Sequence, residues 1–284
     1  MSPAGRYAAM FAALAPRREG AFVPFLVLGD PDLATSLAAL ESLVAGGADA
    51  VEVGIPFSDP IADGPVIQAA ATRALAAGAR PEGCWEIVRT LRVAHPALPI
   101  GVLCYANLVV RAGAARFYAA AAAAGADSIL LADVPMDEAA PFRAAAAAAG
   151  IAFVATVPPS ATPRVVEAVA RGAQGYSYVV SRPGVTGADS APRHEAAALI
   201  ARLRSLGAPP PLLGFGIATP DHVREAMTMG AAGAITGSAV VERIVRLRAD
   251  RSAGLAGLTA FVTAMKAATR PRGAPPGMPN TAPD

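Results

Sequence analysis

Two carboxylates eleven positions apart dominate the chemistry this chain can offer. Glu52 sits in the short apolar run Val51 to Ile55, which reads as the end of a buried strand. Asp63 follows the Pro-rich bend Pro56-Phe57-Ser58-Asp59-Pro60 and precedes Gly64-Pro65. An acid in an apolar wall has a raised pKa, whereas a wetter one stays ionised. The pair can therefore supply a proton donor and a charge stabiliser to one pocket. The plainer alternatives are an acid paired on a strand edge for Glu52 and an Asp-Gly turn for Asp63.

Other chemistries are excluded by residue type. Lys266 is the only lysine and falls in the last helical segment, poorly placed for a Schiff base. His95, His194 and His222 are scattered and show no metal-ligand spacing, so no metal site is expected. No G-x-G-x-x-G opens a strand-to-helix turn. Cys84 and Cys104 read as buried thiols rather than a disulfide framework. With 24 basic and 22 acidic residues and a net charge of +2, the chain has no field for nucleic acid or an anionic membrane. Hydrophobic residues make up 54%, but much of that is alanine in helical runs such as 119–124 and 144–149, with no membrane-length run of bulky apolar residues. The start, Met1 to Arg6, lacks the apolar segment of a signal peptide, which predicts a cytoplasmic protein.

These acids need a scaffold, and the hydrophobic pattern supplies one. Short apolar runs at Phe22–Leu28, Ala50–Val53, Ile100–Leu103, Ser128–Leu131, Ala152–Thr156, Gly175–Val179, Pro211–Gly214 and Gly233–Thr236 read as eight strands. Helical patterns such as Leu33–Ala45, Val66–Ala77, Ala115–Ala124 and Pro220–Met229 alternate with them. Eight parallel βα units predict a closed (β/α)8 TIM barrel rather than an open sheet. We expect a single barrel domain over residues 1–270, an extra N-terminal helix before Ala21 covering the barrel floor, and a disordered Pro/Gly-rich tail over 271–284.

In such a barrel the active site lies at the carboxyl ends of the strands. Glu52 and Asp63 fall there. So do three glycine-bearing turns: Gly184-Val185-Thr186-Gly187, Gly214-Phe215-Gly216-Ile217 and Thr236-Gly237-Ser238-Ala239. Each alone is an ordinary βα turn. Together, with a helix starting near Ser238, they predict a phosphate site. Tyr178 and Tyr105 end strands and could hold a proton or orient an acid, or simply pack. Phe25, Leu103, Leu130 and Phe215 could form an apolar slot for a flat ring, or belong to the core. Phe57 reads as the exposed apolar tip of the Asp63 loop.

The segment Val51 to Pro65 closely resembles the signature of the tryptophan synthase alpha subunit family. So do Phe22-Val23-Pro24-Phe25 with Gly29-Asp30-Pro31, Tyr105-Ala106-Asn107, Ala132-Asp133-Val134-Pro135, Ser181 to Gly187, Gly214 to Ile217 and Phe261 to Lys266. The resemblance runs from Phe22 to Lys266. It implies a lyase that cleaves indole-3-glycerol phosphate to indole and glyceraldehyde 3-phosphate in L-tryptophan biosynthesis. By resemblance, Glu52 is the general acid/base, Asp63 holds the indole N–H, and Tyr178 supports the site. Thr186 meets Asp63 when its loop closes, and Phe25, Leu103, Leu130 and Phe215 sandwich the indole. Gly187, Gly216, Gly237 and Ser238 bind the phosphate. The chain itself would need no cofactor, with pyridoxal phosphate expected only in a beta subunit, the partner in an alpha2beta2 heterotetramer. Pro56 to Asp59, Asn107 and Pro135 resemble the face that meets it. Thr156 and Arg111 depart from the family pattern. The alternatives are a stand-alone lyase that releases free indole and a non-catalytic activator of a beta subunit.

Overall fold

A computed structural model describes residues 3–180, 191–214 and 216–271. The tail expected over 271–284 falls, apart from Pro271, outside the described residues. The elements, in order, are α1 (Pro3–Leu14), β1 (Ala21–Val27), α2 (Leu33–Ala45), β2 (Val51–Gly54), α3 (Pro65–Ala76) and α4 (Pro81–Ala94). They continue with β3 (Ile100–Cys104), α5 (Ala106–Ala112), α6 (Ala114–Ala124), β4 (Ser128–Leu131), α7 (Ala140–Ala148) and β5 (Ala152–Val157). Next come α8 (Pro163–Gly172), β6 (Ser177–Val180), α9 (Ala191–Ser205), β7 (Pro211–Gly214), α10 (Pro220–Thr228), β8 (Gly233–Thr236), α11 (Ser238–Arg246) and α12 (Arg251–Ala267). The strands pair in sequence order, all in parallel, and β8 closes on β1.

Both faces of each strand are buried, and alternation divides them. On β1, Ala21 and Val23 point into the barrel with Leu130, Val154, Tyr178, Leu212 and Ile235. Phe22 and Leu26 point outward into the layer beneath the helices. The helices supply matching stripes, such as Cys84, Ile87, Val88 and Leu91 on α4 and Phe117, Ala121 and Ala124 on α6. Helix boundaries follow the local signals. The Asp32 side chain accepts from Thr35 N at 2.8 Å to start α2, and Gly125, at φ 90°, ends α6 in the left-handed region.

The expected N-terminal helix is α1, and its side chains close the amino end of the barrel. Tyr7 is 2% exposed and shares a hydrogen bond of 2.8 Å with Ser128 Oγ at the start of β4. Arg6 and Arg92 both donate to the buried Asp127 carboxylate, at 2.8 and 2.5 Å, and Ile100 N donates to it as well. At the same end, Lys266 Nζ lies 2.8 Å from Asp49 Oδ2 and 3.2 Å from Glu19 Oε2. The one lysine is thus committed to ion pairs at the foot of β1, away from the carboxyl ends of the strands.

Candidate active site

Glu52 stands in the middle of β2, between Phe25 of β1 and Gly101 of β3. It is 1% exposed. Its Oε1 accepts a short hydrogen bond from the Tyr176 hydroxyl. Its Oε2 has no hydrogen-bond partner among the described residues. Burial pushes the carboxyl up to about 7, and the Tyr176 hydrogen bond only partly opposes this. A glycine at 101 makes room beside it: a Cβ there would lie 3.0 Å from Tyr7 Oη and 3.7 Å from Glu52 Cγ.

Tyr176 is the Glu52 partner that sequence reasoning missed. It belongs to the barrel interior with Tyr178, and its ring packs against Tyr7 at 5.4 Å. The signal was present in Tyr176-Ser177-Tyr178, since residues two apart on a strand face the same way.

Asp63 lies in the loop from β2 to α3. Its Oδ2 accepts from Tyr105 Oη at 2.8 Å, and desolvation raises its pKa despite that bond. Its backbone is fixed by Asp63 N donating to Pro60 O and by Gln68 Nε2 donating to Asp63 O at 2.8 Å. Phe57 is half-buried, not the exposed tip expected from the sequence. Its ring stacks on Tyr105 with centroids 5.2 Å apart. The exposed apolar residue of this loop is Ile61, at 81%.

One cavity of about 300 Å3 brings the two acids together at the carboxyl ends of the strands. Phe25, Glu52, Asp63, Leu103, Tyr178, Gly216, Gly237 and Ser238 line it, along with Ile67, Ile217 and Ile235, which the sequence reading did not single out. Burial and the nearby Glu52 and Asp63 carboxylates hold the Tyr178 hydroxyl well above the usual tyrosine range. Leu130 stands behind the cavity wall, in one cluster with the lining residues Tyr178 and Ile235. It is 2% exposed and packs in the barrel interior with Tyr178 and Val154. Thr186, Gly187 and Phe215 lie outside the described residues. Thr156 lines a separate cavity of about 430 Å3 with Asp133 and Pro158.

At one end of the cavity, α11 begins at Ser238 with Gly237 as its N-cap. Val240 N and Val241 N both donate back to Gly237 O, so it is the Ser238 and Ala239 amides that this end presents as N–H donors, with the positive potential of a helix start. Gly216 has φ 73°, a left-handed conformation that lets the β7–α10 turn expose backbone there. Two of the expected phosphate turns thus converge on the cavity that holds the acids. Among the described residues, no group of three or more His, Cys, Asp or Glu side chains could hold a metal ion.

The sequence model of the tryptophan synthase alpha chain family matches residues 11–270. A tryptophan synthase alpha chain from Shewanella amazonensis is 53% identical over 264 residues, covering 93% of this chain and 99% of that protein. One from Escherichia coli O127:H6 is 49% identical over 265 residues, with the same coverage. Among solved structures, the tryptophan synthase alpha subunit of Legionella pneumophila superposes with a TM-score of 0.85 at 29% identity, covering 95% of this chain and 98% of that one. A chain of Mycobacterium tuberculosis tryptophan synthase gives 0.82 at 31% identity, covering 93% and 98%.

Proposed function

The chain belongs to the tryptophan synthase alpha chain family, and from that premise we propose how its residues divide the work of the reaction. It is a carbon–carbon lyase that splits indole-3-glycerol phosphate into indole and glyceraldehyde 3-phosphate, a step of L-tryptophan biosynthesis. Glu52 is the general acid and then the general base. Near neutral pH its carboxyl is substantially protonated, because it is buried. It donates that proton to the ring carbon bearing the glycerol chain. The ring becomes cationic, with the charge centred on nitrogen, and the Asp63 carboxylate accepts the ring N–H and stabilises that charge. The Glu52 carboxylate then takes the proton of the side-chain hydroxyl next to the ring. As the aldehyde carbonyl forms, the carbon–carbon bond breaks and its electron pair returns to the ring. Indole leaves aromatic, and Glu52 has its proton back.

Gly216, Gly237, Ser238 and the α11 terminus hold the phosphate, with Gly187 contributed by its own turn. Phe25 and Leu103 clasp the ring, and Tyr178 completes the wall beside the acids. Thr186 and Phe215 keep the roles that the resemblance implies. The observation that carries this reading is Glu52 itself. It is a buried carboxyl with one oxygen partnered by Tyr176 and the other without a partner among the described residues, in the same cavity as Asp63. Glu52→Gln preserves shape but cannot shuttle a proton, and turnover should fall at least ~10²–10⁴-fold. A variant keeping a tenth of wild-type turnover would remove Glu52 from the mechanism.

The chain acts without a cofactor of its own, in the cytoplasm, as the alpha half of an alpha2beta2 assembly whose beta subunit carries pyridoxal phosphate and consumes the indole. No helix among the described residues is long and apolar enough to cross a membrane. Ile61 in the β2–α3 loop, at 81% exposure, and Val110 on α5, at 65%, are exposed apolar side chains following strand ends on the catalytic side, and they support docking there. Titrating a beta subunit into the purified chain should raise indole release, and Ile61→Asp should abolish the rise. High activity alone with no rise would favour the stand-alone lyase. The presence of both acids in one cavity counts against the non-catalytic reading.

A further inference from the structure

We propose that Tyr105 is the positioning residue of the Asp63 loop, with a hydroxyl that locks the carboxylate into the cavity and a ring that links it to Phe57. The inference rests on the role given to Asp63 above.

Tyr105 follows β3 directly and is the N-cap residue of α5. It is 2% exposed, whereas Ser58, Asp59, Ile61 and Ala62 of the loop are exposed. A phenol donates one hydrogen bond and accepts others. Tyr105 directs both kinds at consecutive loop residues. It accepts from Ala62 N at 3.1 Å and donates to Asp63 Oδ2 at 2.8 Å. The bonds from Asp63 N and to Asp63 O fix only the backbone. Among the described residues, Tyr105 is the only hydrogen-bond donor to the carboxylate. The Phe57 ring, six positions earlier on the same loop, stacks on Tyr105 at 5.2 Å and 25°. Next to Tyr105, Ala106 N donates to Asp133 Oδ1 at 2.8 Å, tying its backbone to the turn after β4. A rigid strand end thus holds an otherwise exposed loop at its aromatic and its acid together. The Phe57 ring and the Asp63 carboxylate are thus joined through this one side chain.

Among the described residues, the titratable groups around Asp63 are Glu52 from β2 and Tyr178 from β6, which share its cavity, and Tyr105 bonded to it, with Asp133 beside Tyr105. Donation by Tyr105 favours the ionised form of Asp63, which the reaction needs. Its loss should therefore raise the acid limb of the kcat profile. The alkaline limb, set by Glu52 as an acid, should stay in place.

The test is Tyr105→Phe, which keeps the ring and the stack, measured by indole release alone and in the Asp63→Asn background. The expected result is a kcat lower by ~10–100-fold, the cost of a small misplacement. KM should change less than about twofold, the acid limb should move upward, and Asp63→Asn/Tyr105→Phe should be no slower than Asp63→Asn. Phe57→Leu, which keeps apolar bulk but loses the stack, should lower kcat in the same way and less. Tyr105→Phe with wild-type kcat and acid limb would overturn the proposal, as would a double variant slower than Asp63→Asn by the full Tyr105→Phe factor. An Asp63→Asn enzyme with wild-type kcat would instead overturn the role of Asp63 on which the proposal rests.

Discussion

Removing the charge of Glu52 should stabilise the fold at alkaline pH while destroying activity. The carboxyl has an ordinary value of 4.5 and rises to about 7 in the barrel because burial disfavours the anion. The native state therefore binds this proton more tightly than the unfolded chain does. By linkage, the Glu52 contribution is most favourable below 4.5 and declines as pH rises through about 7. A displacement of that size corresponds to about 3 kcal/mol of lost stability on the alkaline side. Glu52→Gln cannot ionise and escapes the loss. Its amide oxygen can still accept from Tyr176, and its N–H2 takes the place of Oε2, which has no described partner even in the wild type. Any packing cost is therefore nearly independent of pH. Urea unfolding of both proteins at matched pH values from 4.5 to 8 isolates the effect, since every other titration cancels in the difference. The stability of Glu52→Gln relative to wild type should climb by about 3 kcal/mol across that range. A flat difference would refute the raised pKa, and with it the claim that Glu52 is substantially protonated at neutral pH.

Other perturbations follow from the same geometry. Gly237→Val should weaken glycerol phosphate binding in calorimetry with little change in stability, because a Cβ there lies 3.4 Å from Phe25 and 3.9 Å from Ile67, inside the cavity wall. Gly214→Ala should lower kcat by displacing Tyr178, whose Oη would lie 2.4 Å from the new Cβ, and a crystal structure of the variant should show that ring moved. Arg73→Met strands Asp30, a 1% exposed carboxylate held by two 2.8 Å hydrogen bonds from the guanidinium, and urea unfolding should register a loss of about 3 kcal/mol.

The barrel was legible because each strand is a short apolar run cut off by glycine, proline or a charged residue. The expected bounds of β4, β7 and β8 coincide with those observed, and the others differ by one or two residues. Glu52, Asp63, Gly216, Gly237 and Ser238 were legible for a related reason: strand ends and βα turns are local features, and the barrel rule sends them all to one face. The misreadings involve contacts between residues far apart in the chain. Tyr176 meets Glu52 across 124 positions and Tyr7 meets Ser128 across 121, and no local pattern announces either. Phe57, flanked by prolines and an acid, has the composition of a solvent tip, yet it finds an aromatic partner 48 positions away. Leu130 packs in one cluster with Tyr178 and Ile235, two residues that line the cavity, and so stands directly behind its wall.

The same burial that makes Glu52 useful makes it expensive, and the amino end of the barrel shows where the cost is offset. Asp127 is fully buried, like Glu52, and its pKa is also raised by desolvation, but it is surrounded by donors. Arg6, Arg92 and Ile100 N all point at it, and the two arginines tie α1 and α4 to the foot of β4. A buried carboxylate satisfied on every side is a structural fastener. Among the described residues, Glu52 has only the Tyr176 hydroxyl on one oxygen and no partner on the other. In the role proposed for Glu52, that incompleteness would let it release and recover a proton. A cation beside it, such as Arg6 and Arg92 beside Asp127, would oppose the effect of burial, lower its pKa and make it a poorer proton donor at neutral pH. The two buried acids therefore mark two ends of one barrel: the amino end, where charge is paired to hold the fold, and the carboxyl end, where a carboxyl with no cation among the described residues has the environment that the proposed proton transfers require.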